Sequence, residues 1–425
     1  MEEIYVNIEL LALIILAMLT LVIKNCTFNL KLIKIVFIAF LFINPFQLFL
    51  NSVSITLLTD TAIIVFSEAI VIQNLISIII KPNYSHFFQN SLVMITTCLI
   101  GIIFSVNVMV IIGWLGCLLL FILINFFTSG ESKVFKEYFF IIILFSLGIV
   151  VFFIFSLILT LLTSNALLLG QNAGSEISVI ILFFTIGAFG GIFPFSHLDK
   201  FFKDSDFQTL SLFMIMQYSL LFFLIRSIFL NTTVVPQLGL LFLIVGIIGL
   251  SISIFNIYNE LFFNFGRKPI SLRKLLGALF ILDFNSVILL TSLLFFSEFP
   301  LILPFLNYIF TTFLAKFVLI VPLQYKLKKR DTDDLNKLGK LFYEKRFLGV
   351  FASFSGLIAA FPSSFLSFFI ILNSLLSFEI QSMVIIFSMV LIIMVIQALY
   401  VLANIIGITS IVIKINFNKE IIEID

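Results

Sequence analysis

Four ionisable side chains, Glu9, Glu68, Asp283 and Lys316, stand inside stretches otherwise apolar enough to cross a bilayer. Charge at that depth is expensive to bury, so such residues pair with one another or with carbonyls, and by default they mark ion or proton routes. Asp283 and Lys316 fall in consecutive apolar segments, 275–297 and 300–324. Neighbouring antiparallel helices would set both toward the inner half of the membrane, within reach of a salt bridge. Such a pair can serve as a charge relay or as a neutralised lock between helices, and the sequence leaves both open. Glu68, like Glu9, can equally face a neighbouring subunit. Glu137, beside Lys136 at the mouth of a segment, fits an interfacial anchor, and Gln217 offers no more than a hydrogen bond to water. No metal site is expected: His86 and His197 are far apart, and Cys26, Cys98 and Cys117 fall singly in different segments. There is no glycine-rich nucleotide loop and no cysteine cluster, so redox cofactors are not expected in this chain.

The elements that position these residues follow from composition. Of the 425 residues, 62% are apolar and 11% charged, with 57 phenylalanines and a mean hydropathy of +1.26. A water-soluble protein of this length could not hide so much apolar surface, so the bilayer is its solvent. Runs of about 20 residues, enough for about 30 Å of hydrocarbon, recur near 4–23, 33–51, 60–80, 88–106, 108–127, 137–163, 177–195, 208–230, 236–258, 275–297, 300–324, 348–374 and 380–413. The expected fold is an all-α polytopic membrane protein of about thirteen transmembrane helices in a single integral membrane domain, 1–425. Of the 24 lysines and arginines, all but Arg226 and Lys316 lie in loops that follow odd-numbered segments. Basic loops stay inside, which puts the N-terminus outside and the C-terminus inside, in a bacterial plasma membrane or a mitochondrial inner membrane. The start MEEIYVNIEL is acidic and lacks the basic region of a cleavable signal. The longest polar stretch, KLKKRDTDDLNKLGKLFYEKR within 325–347, reads as a solvated inner loop or a docking site for another subunit. A net charge of +2 gives no reason to expect nucleic acid.

Two segments are interrupted. GAFGGIFPFSHLDK at 187–200 carries Pro194, and GLIAAFPSSFLSFF carries Pro362. Proline removes a backbone donor and clashes with the preceding turn, and in lipid such a break survives only where protein or a wet cavity covers it. Broken helices 7 and 12 lie an odd number of crossings apart, as in two inverted five-helix repeats (about 88–230 and 236–413) with an ion pathway at their interface. HLDKFFKDSDF, 197–207, alternates aromatic and charged residues and suits a short interfacial helix, with His197 snorkelling to the headgroups.

In order and spacing these stretches resemble the antiporter-like membrane subunits of respiratory complex I, the proton-translocating NADH:quinone oxidoreductases. FTIGAFGGIFPFSHLDKFF resembles their seventh helix, SVNVMVIIGWLGCLLL (105–120) their fifth, and SLRKLLGALFILDFN (271–285) the approach to their tenth. DTDDLNKLGKLFYEKRFLGVFASFSGLIAAFP resembles their loop and broken twelfth helix. The short type, subunit N or mitochondrial subunit 2, fits best, because no long lateral helix follows. The resemblance implies other hydrophobic membrane-arm subunits as partners. It also implies that NADH, flavin, iron–sulfur clusters and quinone belong to partner subunits.

It further implies a glutamate in helix five and lysines in helices seven, eight and twelve. This chain has Leu115, Phe189, Gln217 (or Tyr218, with a shift of one) and Ile370 there. The expected function is therefore a membrane-arm subunit lacking the usual charges, either a reduced pump or a structural spacer. The proton-pathway candidates are Asp283, Lys316, Glu68, Gln217 and Glu137. A subunit of a multi-subunit cation/proton antiporter, or an unrelated polytopic transporter, is the alternative. The topology has a direct test. In a variant without native cysteines, Lys328→Cys is expected to react with a membrane-impermeant maleimide from the inner side only; labelling from outside overturns the orientation.

Overall fold

A computed structural model of the chain describes residues 2–51 (without 24), 86–129 (without 106), 132–163, 175–191, 207–230, 236–263, 270–295, 366–372 and 383–417, with scattered positions between 67 and 78 and between 305 and 357. These residues are almost wholly helical, with no β-strand among them. The helices with both ends described are α1 (Glu2–Val22), α2 (Cys26–Asn51), α3 (His86–Phe104), α4 (Val108–Ser129), α5 (Ser132–Thr163), α6 (Ser175–Gly190), α7 (Phe207–Leu230), α8 (Pro236–Tyr258), α9 (Leu272–Leu294) and α10 (Met383–Phe417). A π-helical turn, Asn259–Phe263, continues α8.

Four spans are long and apolar enough to cross a membrane: Ile142–Leu161, Leu238–Phe262, Leu272–Leu293 and Val390–Lys414. Shorter apolar helices run through Leu10–Val22, Gln89–Phe104, Val108–Leu123, Ile177–Ala188 and Phe213–Ile228. Several of the expected thirteen segments, and nearly all of the 325–347 loop, lie outside the described residues. Leu335 is an exception: it is buried, and its N–H donates to the Ile270 carbonyl at 2.8 Å, pinning that loop to the approach of α9.

Helix ends depart from the apolar runs where local chemistry dictates. α2 begins at Cys26 rather than near 33, because the Asn25 side chain accepts from the N–H groups of Thr27 and Phe28 and caps the helix. Asn29 then turns back and donates to the Thr20 and Ile23 carbonyls, closing α1. α6 stops at Gly190, short of the expected 195. Gly191 follows at φ 70°, the left-handed conformation that ends helices and that residues with a Cβ avoid. Ser271 caps α9 by accepting from the Lys274 N–H at 3.2 Å.

The chain forms two compact units, residues 1–186 with 215–233 and residues 187–214 with 234–425. In the first, α1 packs on α2 and α3, α3 on α4, and α4 on α5. Arg226 of α7 donates to the carbonyls of Ile103 and Ser105, satisfying the end of α3, where a cation also suits the helix dipole. In the second, α8, α9 and α10 pack on one another. Residues 275–293 of α9 are buried without exception, whereas α5 and α10 each leave one broad apolar face open, suited to lipid. α9 is thus a transmembrane helix that meets protein on all sides.

Close approach to α9 depends on small residues. A Cβ on Gly246 of α8 would stand 2.6 Å from the Leu289 Cα, a backbone atom that cannot turn away. Gly246→Ala is therefore expected to destabilise by roughly 1–3 kcal/mol through overpacking, read as a lower midpoint of thermal unfolding in detergent. Gly113→Ala, with nothing within 4 Å of its new Cβ, is expected to be neutral. Equal effects would overturn this packing argument.

Candidate functional site: a buried ion pair and hydroxyl chain

Three helical stretches bring polar side chains together inside the second unit. On α9, Leu279, Asp283 and Ser286 recur at intervals of four and three, and so share one face. On α10, Gln397 and Tyr400 share a face in the same way. Residues 308–313 and 316 are helical and place Tyr308 and Lys316 about two turns apart. Both neighbours run antiparallel to α9: Ser286 meets Tyr308 and Gln397 at one level, while Asp283 meets Tyr400 and Lys316 about one turn away.

The central contact is an ion pair. Lys316 Nζ contacts Asp283 Oδ2, and both side chains are buried, at 2% and 0% exposure. Lys316 also donates to the Leu279 carbonyl at 2.9 Å. The second carboxylate oxygen, Asp283 Oδ1, accepts from the Tyr400 hydroxyl at 3.1 Å. Tyr308 donates to the Tyr400 oxygen at 3.1 Å. Because the one proton of Tyr308 is committed there, its 2.8 Å contact with Ser286 must be donated by the serine. Gln397 Nε2 in turn donates to Ser286 Oγ at 2.8 Å. Every hydroxyl in the row points its proton toward Asp283.

The depth of this cluster is notable on physical grounds. Asp283 falls at the midpoint of the span Leu272–Leu293. The apolar run that set the expected boundary at 275 misses the first turn, because Ser271 starts α9 under the charged residues Arg273 and Lys274. From Leu279 to Ser286 the cluster extends about 10 Å along the helix axis. Buried side-chain hydrogen bonds hold its frame: Asn285 donates to Ser253 of α8 at 3.1 Å and to the Ile281 carbonyl at 2.9 Å. At the start of α9, Lys274 pairs at 2.6 Å with Glu260 of the π-helical turn. The α6 terminus serves the same frame, since a Cβ on Gly190 would stand 2.5 Å from the ring of Phe284, the neighbour of Asp283. The glycines of the 187–191 stretch thus end a helix and admit a ring beside the buried pair.

The other expected site residues fall elsewhere along the chain. Glu68 belongs to the first unit, half-buried, with Oε1 buried and no hydrogen-bond partner among the described residues. Gln217 is buried in the same unit. Glu137 lies in α5, and its side chain, like that of Glu9 in α1, is outside the described residues, as are Pro194 and Pro362. Where the resemblance implies charges, Leu115 and Ile370 are fully buried apolar residues, Tyr218 is buried, and the Phe189 side chain is outside the described residues. No group of three or more histidine, cysteine or acidic residues that could hold a metal occurs among the described residues. Sequence reasoning missed Tyr308, Tyr400, Ser286 and Gln397. The available signal was tyrosine at mid-span, since this residue ordinarily marks the membrane interface.

No protein-family model matches this sequence, and no curated protein does. Solved structures with the same fold do exist. A chain of respiratory complex I from Thermus thermophilus with bound NADH superposes with a TM-score of 0.75 at 14% identity, covering 97% of this chain and 89% of that one. A chain of the Mrp complex from Dietzia sp. DQ12-45-1b gives a TM-score of 0.69 at 11% identity, covering 97% and 80%. A chain of the membrane-bound sulfane sulfur reductase, an archaeal respiratory membrane complex, gives 0.68 at 12% identity, covering 94% and 86%. At such identities the likeness is one of fold, and it extends over nearly the whole chain.

The ion pair makes a sharp stability prediction. Asp283→Asn leaves the Lys316 charge buried without its counter-ion and is expected to cost about 3–5 kcal/mol. The double variant Asp283→Leu with Lys316→Met removes both charges and is expected to recover most of that loss. Thermal unfolding in detergent measures both; a double variant as unstable as the single one would overturn the pairing.

Proposed function

We propose that this chain is an antiporter-like membrane subunit of a multi-subunit respiratory complex of the proton-translocating NADH:quinone oxidoreductase kind, and that its Asp283–Lys316 pair handles a proton. The observation that carries the reading is that pair, fully buried at the midpoint of α9, in a fold shared with a chain of respiratory complex I. A helix-to-helix lock alone could be made from well-packed apolar side chains at no loss of stability. Keeping two opposite charges in a chain otherwise so apolar favours a role in moving charge. Loss of the charges implied at the Leu115 and Ile370 positions makes it a reduced pump, with fewer titratable groups than its fold accommodates.

In this reading its partners are hydrophobic membrane-arm subunits and lipid. NADH, flavin, iron–sulfur clusters and quinone sit in other subunits. The helices number about thirteen in two inverted repeats, with the C-terminus inside, as the basic loops imply. A subunit of a cation/proton antiporter assembly is the second reading, favoured by the fold match to a chain of the Mrp complex, which also covers 97% of this chain.

Purification in mild detergent with subunit identification separates the two. Peripheral NADH-oxidising subunits are expected to accompany the chain, and their absence would overturn the first reading. In vesicles of that complex, Asp283→Asn is expected to lower proton uptake per NADH oxidised. An unchanged ratio would make the chain a spacer.

A further inference from the structure

We infer that Ser286, Tyr308 and Tyr400 form a hydroxyl relay that delivers a proton to Asp283, a step that rests on the reading that the Asp283–Lys316 pair handles one. Four features carry it. The row is continuous, with contacts of 2.8 Å from Ser286 to Tyr308, 3.1 Å to Tyr400 and 3.1 Å to Asp283. Its donors all point the same way, as a pre-oriented proton wire requires. Its members are fully buried, so protein hydroxyls occupy the places that water would hold in an open channel. Lastly, the tyrosines are chosen against the background of the chain: it has 57 phenylalanines and 9 tyrosines, and phenylalanine would fill the same volume without a buried hydroxyl to satisfy.

The transfer balances without an intermediate charge on any hydroxyl. A proton from a hydronium ion that takes the place of the Gln397 N–H binds Ser286 Oγ and leaves a neutral water. Ser286 passes its own proton to Tyr308, Tyr308 to Tyr400, and Tyr400 to Asp283 Oδ1. Four O–H bonds break, one on the hydronium ion and three on the hydroxyls, and four form: on the three hydroxyls and on the carboxyl. The net change is one hydronium ion converted to water and one carboxylate neutralised. Lys316 then keeps its contact with the Leu279 carbonyl but loses its counter-charge, so the arriving proton alters the pair itself. Each hydroxyl must rotate before the next transfer, because the row now points away from Asp283.

The test uses vesicles of the intact complex and reads proton uptake per NADH oxidised. Tyr400→Phe, Tyr308→Phe and Ser286→Ala each break the row while leaving both charges in place. Each is expected to lower uptake at least as far as Asp283→Asn does, and Ser286→Thr, which keeps a hydroxyl, is expected to restore it. Thr291→Val, which removes a buried α9 hydroxyl outside the row, is expected to leave uptake unchanged. In mixtures of H2O and D2O the wild-type rate is expected to bow downward with deuterium fraction, as several protons in flight require, and to become linear in Tyr400→Phe. If Asp283→Asn abolishes uptake while both phenylalanine variants retain it with an unchanged isotope profile, the relay is wrong and the function proposed above stands. If Asp283→Asn changes nothing, that function falls first.

Discussion

The second unit depends on one constraint: hydrocarbon offers no partner to a charge, so the Asp283–Lys316 pair must find every contact within the protein. Both carboxylate oxygens are engaged, one by the ammonium and one by Tyr400, and the ammonium has the Leu279 carbonyl as a further acceptor. These contacts in turn require a helix with protein all around it. α9 meets that need, buried from 275 to 293, with Gly246 of α8 letting the two backbones approach and Gly190 admitting Phe284 beside the pair. A polar group at mid-membrane thus dictates where small residues must stand on helices that carry no charge themselves.

The same constraint sorts the remaining helices. α5 and α10 keep an open apolar face. α10 is the more informative of the two. It turns Leu399 and Leu402 outward while Tyr400, between them in sequence, is fully buried and hydrogen-bonded to Asp283. Its antiparallel partner supplies Ser286 opposite Gln397. An apolar helix can therefore carry a polar seam one side chain wide, provided the facing helices supply a donor or acceptor at each level.

The glycine- and proline-rich stretch at 187–200 is an instructive case of partial legibility. Its composition announces an interrupted helix, and α6 does end inside it. The end comes at Gly190 and Gly191, through a left-handed turn, before Pro194 is reached. The helix ends on glycine, and the close approach of Gly190 to Phe284 depends on a helix nearly a hundred residues further along. Likewise Asn25, Asn29 and Ser271 moved helix boundaries, because capping is set by one side chain and is invisible to a hydropathy run.

The sequence by itself determined the solvent and the helical class, and it set the two central charges within reach of each other. Those follow from quantities that need no third dimension: apolar run length against membrane thickness, and the order of consecutive antiparallel segments. What only the tertiary structure decided was the identity of the charges' neutral partners. Tyr400 lies 117 positions from Asp283, and Tyr308 lies 92 from Tyr400. No local period links them, so only the packing of three helices could set their hydroxyls in a row.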